Sequence, residues 1–135
     1  MTIEEYFKND KFAQKAGVEL LEAGNGYAKA RLKITPEHLN AGGVCQGGAI
    51  FTLADFVFAV ACNGHGQLTF SISSNINFFK SEKEGYLYAT AREIFDHKKM
   101  SNCEVEVRNE AGILIATFNG TGFRKPMELP FEPFR

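Results

Sequence analysis

The sequence predicts an α+β fold in which an antiparallel sheet of about five or six strands wraps around one central apolar helix. One long apolar segment, about residues 48–62, reads "GAIFTLADFVFAVAC" and ends at a glycine-containing turn. The segments around it alternate apolar and polar side chains and are joined by short turns, which is typical of antiparallel strands. A helix that is apolar on every side must be enclosed, and a curved sheet is the simplest cover.

The other elements follow in chain order within a single predicted domain, residues 1–135. Apolar side chains at helical spacing in residues 3–15, with Thr2 as the cap, predict a short N-terminal helix. Two strands flank a Gly-Asn-Gly turn, and a glycine-rich loop leads into the apolar helix. The tail, residues 126–135, is broken by prolines and predicts either a disordered end or a strap over a neighbouring subunit.

Composition excludes several classes of protein. The net charge is −1 with acids and bases interspersed, which argues against nucleic-acid binding. The start of the chain has no apolar signal segment, and the apolar run is interrupted and too short to span a membrane. Three cysteines without C-x-x-C spacing indicate reduced thiols and a cytoplasmic location, and three scattered histidines argue against a metal site. The thirteen phenylalanines favour an apolar pocket or a subunit interface.

Asp55 is the single acid within the apolar helix. It is either a structural carboxylate, hydrogen-bonded to a hydroxyl or a backbone amide, or a reactive group. No Arg or Lys lies one helical turn away to neutralise it. Desolvation without a cation would raise its pKa toward the range that suits a general base or a nucleophile.

Gly47 and Gly48 begin the same helix. Their amides have no intrahelical acceptor and would form a seat for a developing oxyanion, unless the glycines only make a tight turn. Gly47 lies eight residues before Asp55, which separates them by about 12 Å along the helix axis. One carbonyl cannot touch both, so joint action requires the helix start of a second copy, in a dimer with two equivalent sites.

Two stretches carry a family resemblance, "HLNAGGVCQGGAIFTLAD" and "FSISSNINFFK". They resemble the hotdog-fold acyl-CoA thioesterases, in particular the PaaI-like branch of the phenylacetate pathway, over roughly residues 10–125. The resemblance implies a sheet wrapped around the helix and hydrolysis of an acyl-CoA thioester. It also implies no cofactor apart from the coenzyme A of the substrate, and dimers that pair into tetramers.

The resemblance also assigns roles to individual residues. Asp55 matches the catalytic acid, which attacks the thioester carbon or activates water, and Gly47 matches the glycine whose amide polarises the carbonyl. Asn40 matches a polar loop residue that orients water or the carbonyl, and Ser71 a strand hydroxyl that holds the water. Gln46 departs from the pattern, because the family commonly has histidine there and glutamine cannot shuttle a proton at neutral pH.

Other residues are weaker candidates. Gly48 could contribute to substrate binding beside Gly47, and the resemblance implies basic groups near the coenzyme A phosphates, for which Lys98, Lys99 and Arg124 are available. Cys45 lies beside the loop but has no base at predictable range, so we interpret it as a packing residue.

The sequence therefore predicts a thioesterase that hydrolyses an aryl- or medium-chain acyl-CoA at a dimer interface, without metal, nucleic acid or membrane as partner. Two alternatives stay open. A non-catalytic hotdog could bind acyl-CoA as a sensor or interaction module, which Gln46 favours. A hotdog hydratase or dehydratase would need a histidine over the acyl chain, and none lies beside the glycine turn.

Overall fold

The structure is a computed structural model that describes residues 1–134. Its elements in chain order are α1 (Ile3–Phe7), α2 (Lys11–Ala16), β1 (Val18–Gly24), β2 (Tyr27–Lys33), a one-turn 3-10 helix (Pro36–His38), α3 (Gly47–Asn63), β3 (Gln67–Phe78), β4 (Tyr86–Asp96), β5 (Met100–Asn109) and β6 (Leu114–Glu128).

The six strands form one antiparallel sheet in the order β1-β2-β4-β5-β6-β3. Helix α3 packs against every strand of this sheet. Its apolar residues meet the inward side chains of the strands, for example Leu32, Leu87 and Val107, which are fully buried. The predicted sheet around an apolar helix is confirmed, with six strands and helix bounds within one residue of the prediction.

The prediction that the helix is enclosed on every side is wrong for the single chain. The sheet covers one side of α3, where Leu53 and Val57 are buried, but on the other side Gly48 is exposed and Thr52, Asp55 and Ala59 are only half-buried. The sheet closes around one face of the helix only, because it remains an open layer with two free edges, β1 and β3.

The N-terminal segment forms two short helices where one was predicted over residues 3–15. Thr2 caps α1 in a capping box with Glu5, as predicted for the cap residue. Helix α1 then ends at Lys8, and Asp10 starts α2 by accepting the amide of Ala13 at 3.0 Å. An aspartate that caps a new helix competes with continuation of the first one, which explains the break.

The C-terminal tail packs against its own chain, which corrects the expectation of a disordered end. Strand β6 continues to Glu128, and the described part of the tail then crosses the turn that follows α3. The amide of Leu129 donates to the carbonyl of Gly66 at 2.8 Å, and that of Phe134 to Gly64 at 2.9 Å. Phe131 is buried against Tyr6. The tail thus closes the end of the core beside α1.

Candidate active site

The open face of α3 carries a stripe formed by Gly48, Thr52, Asp55 and Ala59. These positions recur every three or four residues and therefore lie on one side of the helix. The hydroxyl of Thr52 donates to the carbonyl of Gly48 at 2.8 Å, so it is satisfied within the helix. The carboxylate of Asp55 has no such partner among the residues that the structure describes.

Asp55 lies at the base of a cleft between α3 and the N-terminal helices. The residues that line this cleft with it are Asp10, Phe12, Ala13, Phe51, Thr52 and Phe56. Among residues 1–134, no side chain or amide donates a hydrogen bond to Asp55, and no cation pairs with it. Partial burial among aromatic rings raises the pKa of Asp55, and the negative charge of Asp10 raises it further. The sequence-based expectation for this pKa thus agrees with the structure.

Asp10 is a member of this cleft that the sequence prediction missed. It lines the cleft together with Asp55, and its capping bond to Ala13 fixes the start of α2 there. Its neighbour Phe12 stands 73% exposed at the edge of the same cleft, although large apolar side chains usually avoid water. The cap rule applied to Asn9-Asp10 would have found the break between the helices, but not the place of Asp10 in one cleft with Asp55.

The start of α3 provides the second chemical feature. Gln46 is the N-cap residue and makes no side-chain capping bond, so the amides of Gly47 and Gly48 donate to no acceptor within the described chain. A Cβ atom at position 47 would lie 3.0 Å from Cζ of Phe78, and one at position 48 would lie 2.5 Å from Oε1 of Gln46. Glycine therefore lets the side chains of Phe78 and Gln46 pack closely against the start of the helix, where the free amides carry the positive end of the helix dipole.

The two features do not meet within one chain. Gly47 lines a cleft with Cys45, Phe78 and Phe79, whereas Asp55 lines a different one. Because Gly47–Asn63 is one uninterrupted helix, the separation of about 12 Å along its axis holds. Gln46 and Gly48 line a third cleft, which adjoins the cleft of Asp55 because Phe12 and Thr52 line both.

Two of the predicted polar residues have local partners. The Oδ1 atom of Asn40 accepts the amides of Gly42 and Val44 at 3.0 and 3.2 Å and so shapes the loop before α3. Ser71 is exposed on β3, with its hydroxyl 3.0 Å from that of Ser74. Neither hydrogen-bonds to Asp55 within residues 1–134, so their catalytic roles stay predictions.

Three other candidates, Lys98, Lys99 and Cys45, differ in accessibility. Lys98 and Lys99 are exposed in the turn between β4 and β5, where the predicted contact with coenzyme A phosphates stays open. Cys45 is buried, and burial raises the pKa of its thiol, which disfavours a thiolate nucleophile.

Arg124, which the sequence analysis offered for contact with coenzyme A phosphates, lies in an internal ion-pair network. Only 8% of the residue is exposed. Its guanidinium forms an ion pair with Asp96 at 2.7 Å and donates hydrogen bonds to Glu93 at 3.4 Å and to the carbonyl of His97. Glu93 also lies 2.7 Å from Nε2 of His65. His65, Glu93 and Asp96 offer possible metal ligands close together, but the guanidinium already pairs with both carboxylates. This internal network leaves little of Arg124 accessible to a phosphate.

Comparison with known proteins connects this geometry to a family. Residues 42–116, which include the start of α3 and Asp55, match the Thioesterase superfamily. The chain is 42% identical over 125 residues to a protein of Archaeoglobus fulgidus named "Putative esterase", covering 92% of this chain and 81% of that one. It is 30% identical over 119 residues to the acyl-coenzyme A thioesterase PaaI of Escherichia coli, covering 87% and 85% of the two chains.

Solved structures agree with this family. The structure of E. coli PaaI, from the phenylacetic acid degradation operon, matches with a TM-score of 0.89 at 28% identity, covering 93% of this chain and 91% of that one. A mutant of the phenylacetic acid degradation protein PaaI from Thermus thermophilus matches with a TM-score of 0.82 at 31% identity, covering 86% and 100%. None of the helices in residues 1–134 has the length and apolar character of a membrane span. The chain belongs to the thioesterase superfamily, with the hotdog fold, in its PaaI-like branch.

Proposed function

We propose that this protein hydrolyses an acyl-CoA thioester to a free acid and coenzyme A, with Asp55 as the reacting carboxylate. The observation that carries the proposal is the environment of Asp55. It is half-buried among aromatic rings, has no hydrogen-bond donor among the described residues and faces an open cleft. A carboxylate left without donors keeps its lone pairs available for a substrate carbon or a water molecule.

The chemistry can follow either of two routes. Asp55 attacks the thioester carbon, the C–S bond breaks, and water then hydrolyses the resulting anhydride. Alternatively, Asp55 accepts a proton from water as the water attacks, and the same C–S bond breaks. In both routes a backbone amide at the start of α3 stabilises the negative charge on the carbonyl oxygen, and the thiolate takes up a proton from water. Coenzyme A is part of the substrate, and neither route needs a metal or a redox cofactor.

The site requires two copies of the chain, because Gly47 and Asp55 cannot touch one carbonyl within one helix. Strand β3 supplies an independent reason for a dimer. Among the strands of residues 1–134 it pairs with β6 alone, it is twelve residues long, and it exposes Phe70, Ile72 and Phe78. Such an apolar edge is normally covered by another chain. Two copies related by a two-fold axis would bring the Gly47 amide of one to Asp55 of the other, and two dimers would form the predicted tetramer.

The substrate class follows from the walls of the cleft. Phe12, Phe51 and Phe56 surround Asp55 and favour an aryl or medium-chain acyl group over a charged one. The matched structures include a phenylacetic acid degradation protein, which supports an aryl acyl group of the phenylacetyl type. A cytoplasmic location, where acyl-CoA and reduced thiols occur together, completes the proposal.

The first experiment measures free-thiol release from a panel of aryl- and alkyl-CoA esters by the wild type and by Asp55→Asn. We expect turnover by the wild type and a loss of about 10²–10⁴-fold in kcat/KM for the variant. Glu106 is an exposed acid that lines neither the cleft of Asp55 nor that of Gly47, so Glu106→Gln serves as the control and should retain full activity. Acyl-CoA binding without turnover by the wild type would overturn the proposal in favour of an acyl-CoA sensor.

A second experiment tests the amide of Gly47. Proline at the first position of a helix removes the N–H without disturbing the helix, and the extended backbone of Gln46 permits a following proline. Gly47→Pro should lose activity, whereas Gly47→Ala adds the same Cβ beside Phe78 and keeps the N–H. A 1:1 mixture of Gly47→Pro and Asp55→Asn subunits should regain about a quarter of wild-type activity after subunit exchange, because about half of the dimers are mixed and each mixed dimer has one intact site of two. No recovery would place both groups of a site in one subunit and contradict the shared site.

A further inference from the structure

The side chain of His38 joins the end of α2 to the loop that precedes α3. His38 is half-buried and ends the one-turn helix Pro36–His38. Its Nε2 atom lies 2.6 Å from the carbonyl oxygen of Ala16, the last residue of α2, and its Nδ1 atom accepts the amide of Thr35 at 2.9 Å. The carbonyl oxygen of His38 accepts the amide of Gln46 at 2.8 Å. One residue therefore holds the end of one helix and the residue that caps the next.

The hydrogen bonds of the ring assign its proton to one nitrogen. A carbonyl oxygen can only accept, so the proton is on Nε2, and Nδ1 of the neutral ring accepts the Thr35 amide. His38 lines the same cleft as Gln46 and Gly48. Because both ring nitrogens already have partners in the chain, His38 cannot supply the proton transfer that Gln46 lacks while these bonds persist.

The start of α3 relies on backbone contacts to the preceding loop. A Ser, Thr, Asp or Asn at the N-cap normally fixes the first turn with its side chain, but Gln46 makes no such bond within the described chain. The amide of Cys45 donates instead to the carbonyl of Glu82 at 2.8 Å, and the amide of Gln46 donates to that of His38. The bond to His38 is the nearer of the two to Gly47, so the position of His38 bears directly on the free amide of Gly47.

We propose that His38 is a positioning residue, which fixes the amide of Gly47 by connecting the loop before α3 to the end of α2. The inference rests on the proposed function, in which that amide stabilises the charge on the carbonyl oxygen. It adds a residue that touches neither the substrate nor the reacting atoms. A misplacement of about 1 Å in a site can lower its rate by about 10²-fold, so loss of the bond to Ala16 should have a measurable effect even though the bond to Glu82 still holds the loop.

Two substitutions of His38 separate the two bonds of its ring. In His38→Gln the side-chain nitrogen can take the place of Nε2 and donate to Ala16, while the acceptor for Thr35 is lost. In His38→Asn the shorter side chain brings its oxygen near the place of Nδ1, where it can accept the Thr35 amide, but it does not reach Ala16. Both side chains are polar and uncharged, like the neutral ring. Each variant is therefore the matched control for the other.

Nuclear magnetic resonance tests the arrangement without requiring activity. In isotope-labelled wild type, proton–nitrogen correlations of the ring should show the His38 proton on Nε2. In His38→Asn, the amide of Gln46 should exchange with solvent about tenfold faster, because the contact that protects it is loosened. The amide resonance of Gly47 should shift in the same variant. His38→Gln should leave both signals near their wild-type values.

Steady-state kinetics test the consequence for the reaction. His38→Asn should lower kcat per folded protein about tenfold and change KM little, because the carbonyl oxygen acquires its charge in the transition state. His38→Gln should retain most of kcat, since it keeps the bond to Ala16. Melting temperatures are measured beside the rates. A merely structural role of His38 would lower the melting temperature of His38→Asn and leave kcat per folded protein unchanged.

The outcomes separate this inference from the proposed function. If the wild type releases no thiol from any acyl-CoA while the resonance results are as expected, the proposed function fails and the positioning of Gly47 by His38 stands. The inference is overturned if the ring proton lies on Nδ1 or if the Gly47 resonance is unchanged in His38→Asn. It is also overturned if thioesters are hydrolysed and the Asn and Gln variants have equal kcat.

Discussion

Two carboxylates in this chain, Glu93 and Asp55, are both shielded from water, but they differ in their hydrogen-bond partners. The side chain of Glu93 is 7% exposed and has three partners: His65 at 2.7 Å, the hydroxyl of Ser101, and Arg124 at 3.4 Å. Asp55 is half-buried in an open cleft, yet no donor within residues 1–134 reaches it. Glu93 therefore has hydrogen-bond and ion-pair partners in its own chain, whereas Asp55 has none among the described residues.

The difference separates a structural acid, Glu93, from the acid for which we propose a reactive role, Asp55. Burial alone does not separate the two, because a carboxylate withdrawn from water is unusual in either role. The hydrogen-bond partners select Asp55, since a carboxylate with its acceptor positions occupied has little left for a substrate. The network around Glu93 joins β4, β5, β6 and the turn after α3, which is a structural role.

The largest effect on stability should follow from removing Glu93 from its network with His65, Ser101 and Arg124. Glu93→Ala leaves the buried guanidinium of Arg124 with Asp96 as its one remaining acid partner among the described residues. We expect the free energy of unfolding to fall by about 3 kcal/mol, near the low end for loss of one partner of a buried pair. Urea denaturation measures it.

The control for this prediction is Glu106→Ala, which removes an exposed partner of Arg108. Its effect should stay below about 1 kcal/mol. Equal effects of the two substitutions would show that Glu93 and Arg124 do not form the structural network described above.

A smaller and opposite effect on stability is expected from Asp55→Asn. Because burial raises the pKa of Asp55 above 3.8, the native state binds more protons than the unfolded state between 3.8 and the raised value. Stability therefore falls as pH rises through this window, and at neutral pH the ionised form is unfavourable. Asparagine removes that charge, so the variant should melt a few degrees higher at neutral pH while losing activity.

Thermal unfolding across pH checks this sign. The advantage of Asp55→Asn should shrink as pH falls and vanish well below 3.8, where Asp55 is protonated in both states. A variant that is less stable than the wild type at neutral pH would indicate that Asp55 makes a stabilising contact, in the manner of Glu93.

The smallest effect concerns Asp10, whose charge contributes to the raised pKa of Asp55. Asp10→Asn keeps a residue type that caps helices well but removes the charge. Since activity requires ionised Asp55, the acid limb of the pH profile of kcat/KM should move to lower pH. The maximal rate should change little.

Asp10→Ser is the companion variant, because it also caps the helix without a charge. It should move the acid limb in the same direction and by a similar amount. If neither variant moves the limb, Asp10 serves only as the cap of α2 and does not tune Asp55.

Sequence patterns predicted most of the fold, and the catalytic roles of the predicted site residues stay predictions. The apolar helix, the strands and the Thr2 cap depend on neighbours within a few residues, which is the range over which periodicity and capping act. The axial distance between Gly47 and Asp55 was also predictable, because a helix has a constant rise. The break at Asp10 was missed since two weak helical signals were merged into one.

Such local patterns could not predict the tertiary contacts. The fully apolar composition of α3 predicted an enclosed helix, yet one stripe stays open because the sheet covers one face. Arg124 looked like an available cation, and only the folded chain places it between Glu93 and Asp96. The tail's path over the turn after α3 likewise depends on contacts between distant segments.

By itself, the sequence determined an apolar helix that begins with two glycines and carries one acid, and a set of strands to pack on it. These features are local, so backbone geometry and hydrophobic periodicity specify them. Only the tertiary structure decided that Asp10 and Phe12 line one cleft with Asp55. It also decided that Glu93 has hydrogen-bond partners, whereas Asp55 has none within residues 1–134. Those facts depend on which distant side chains exclude water from one another, and no local pattern encodes that.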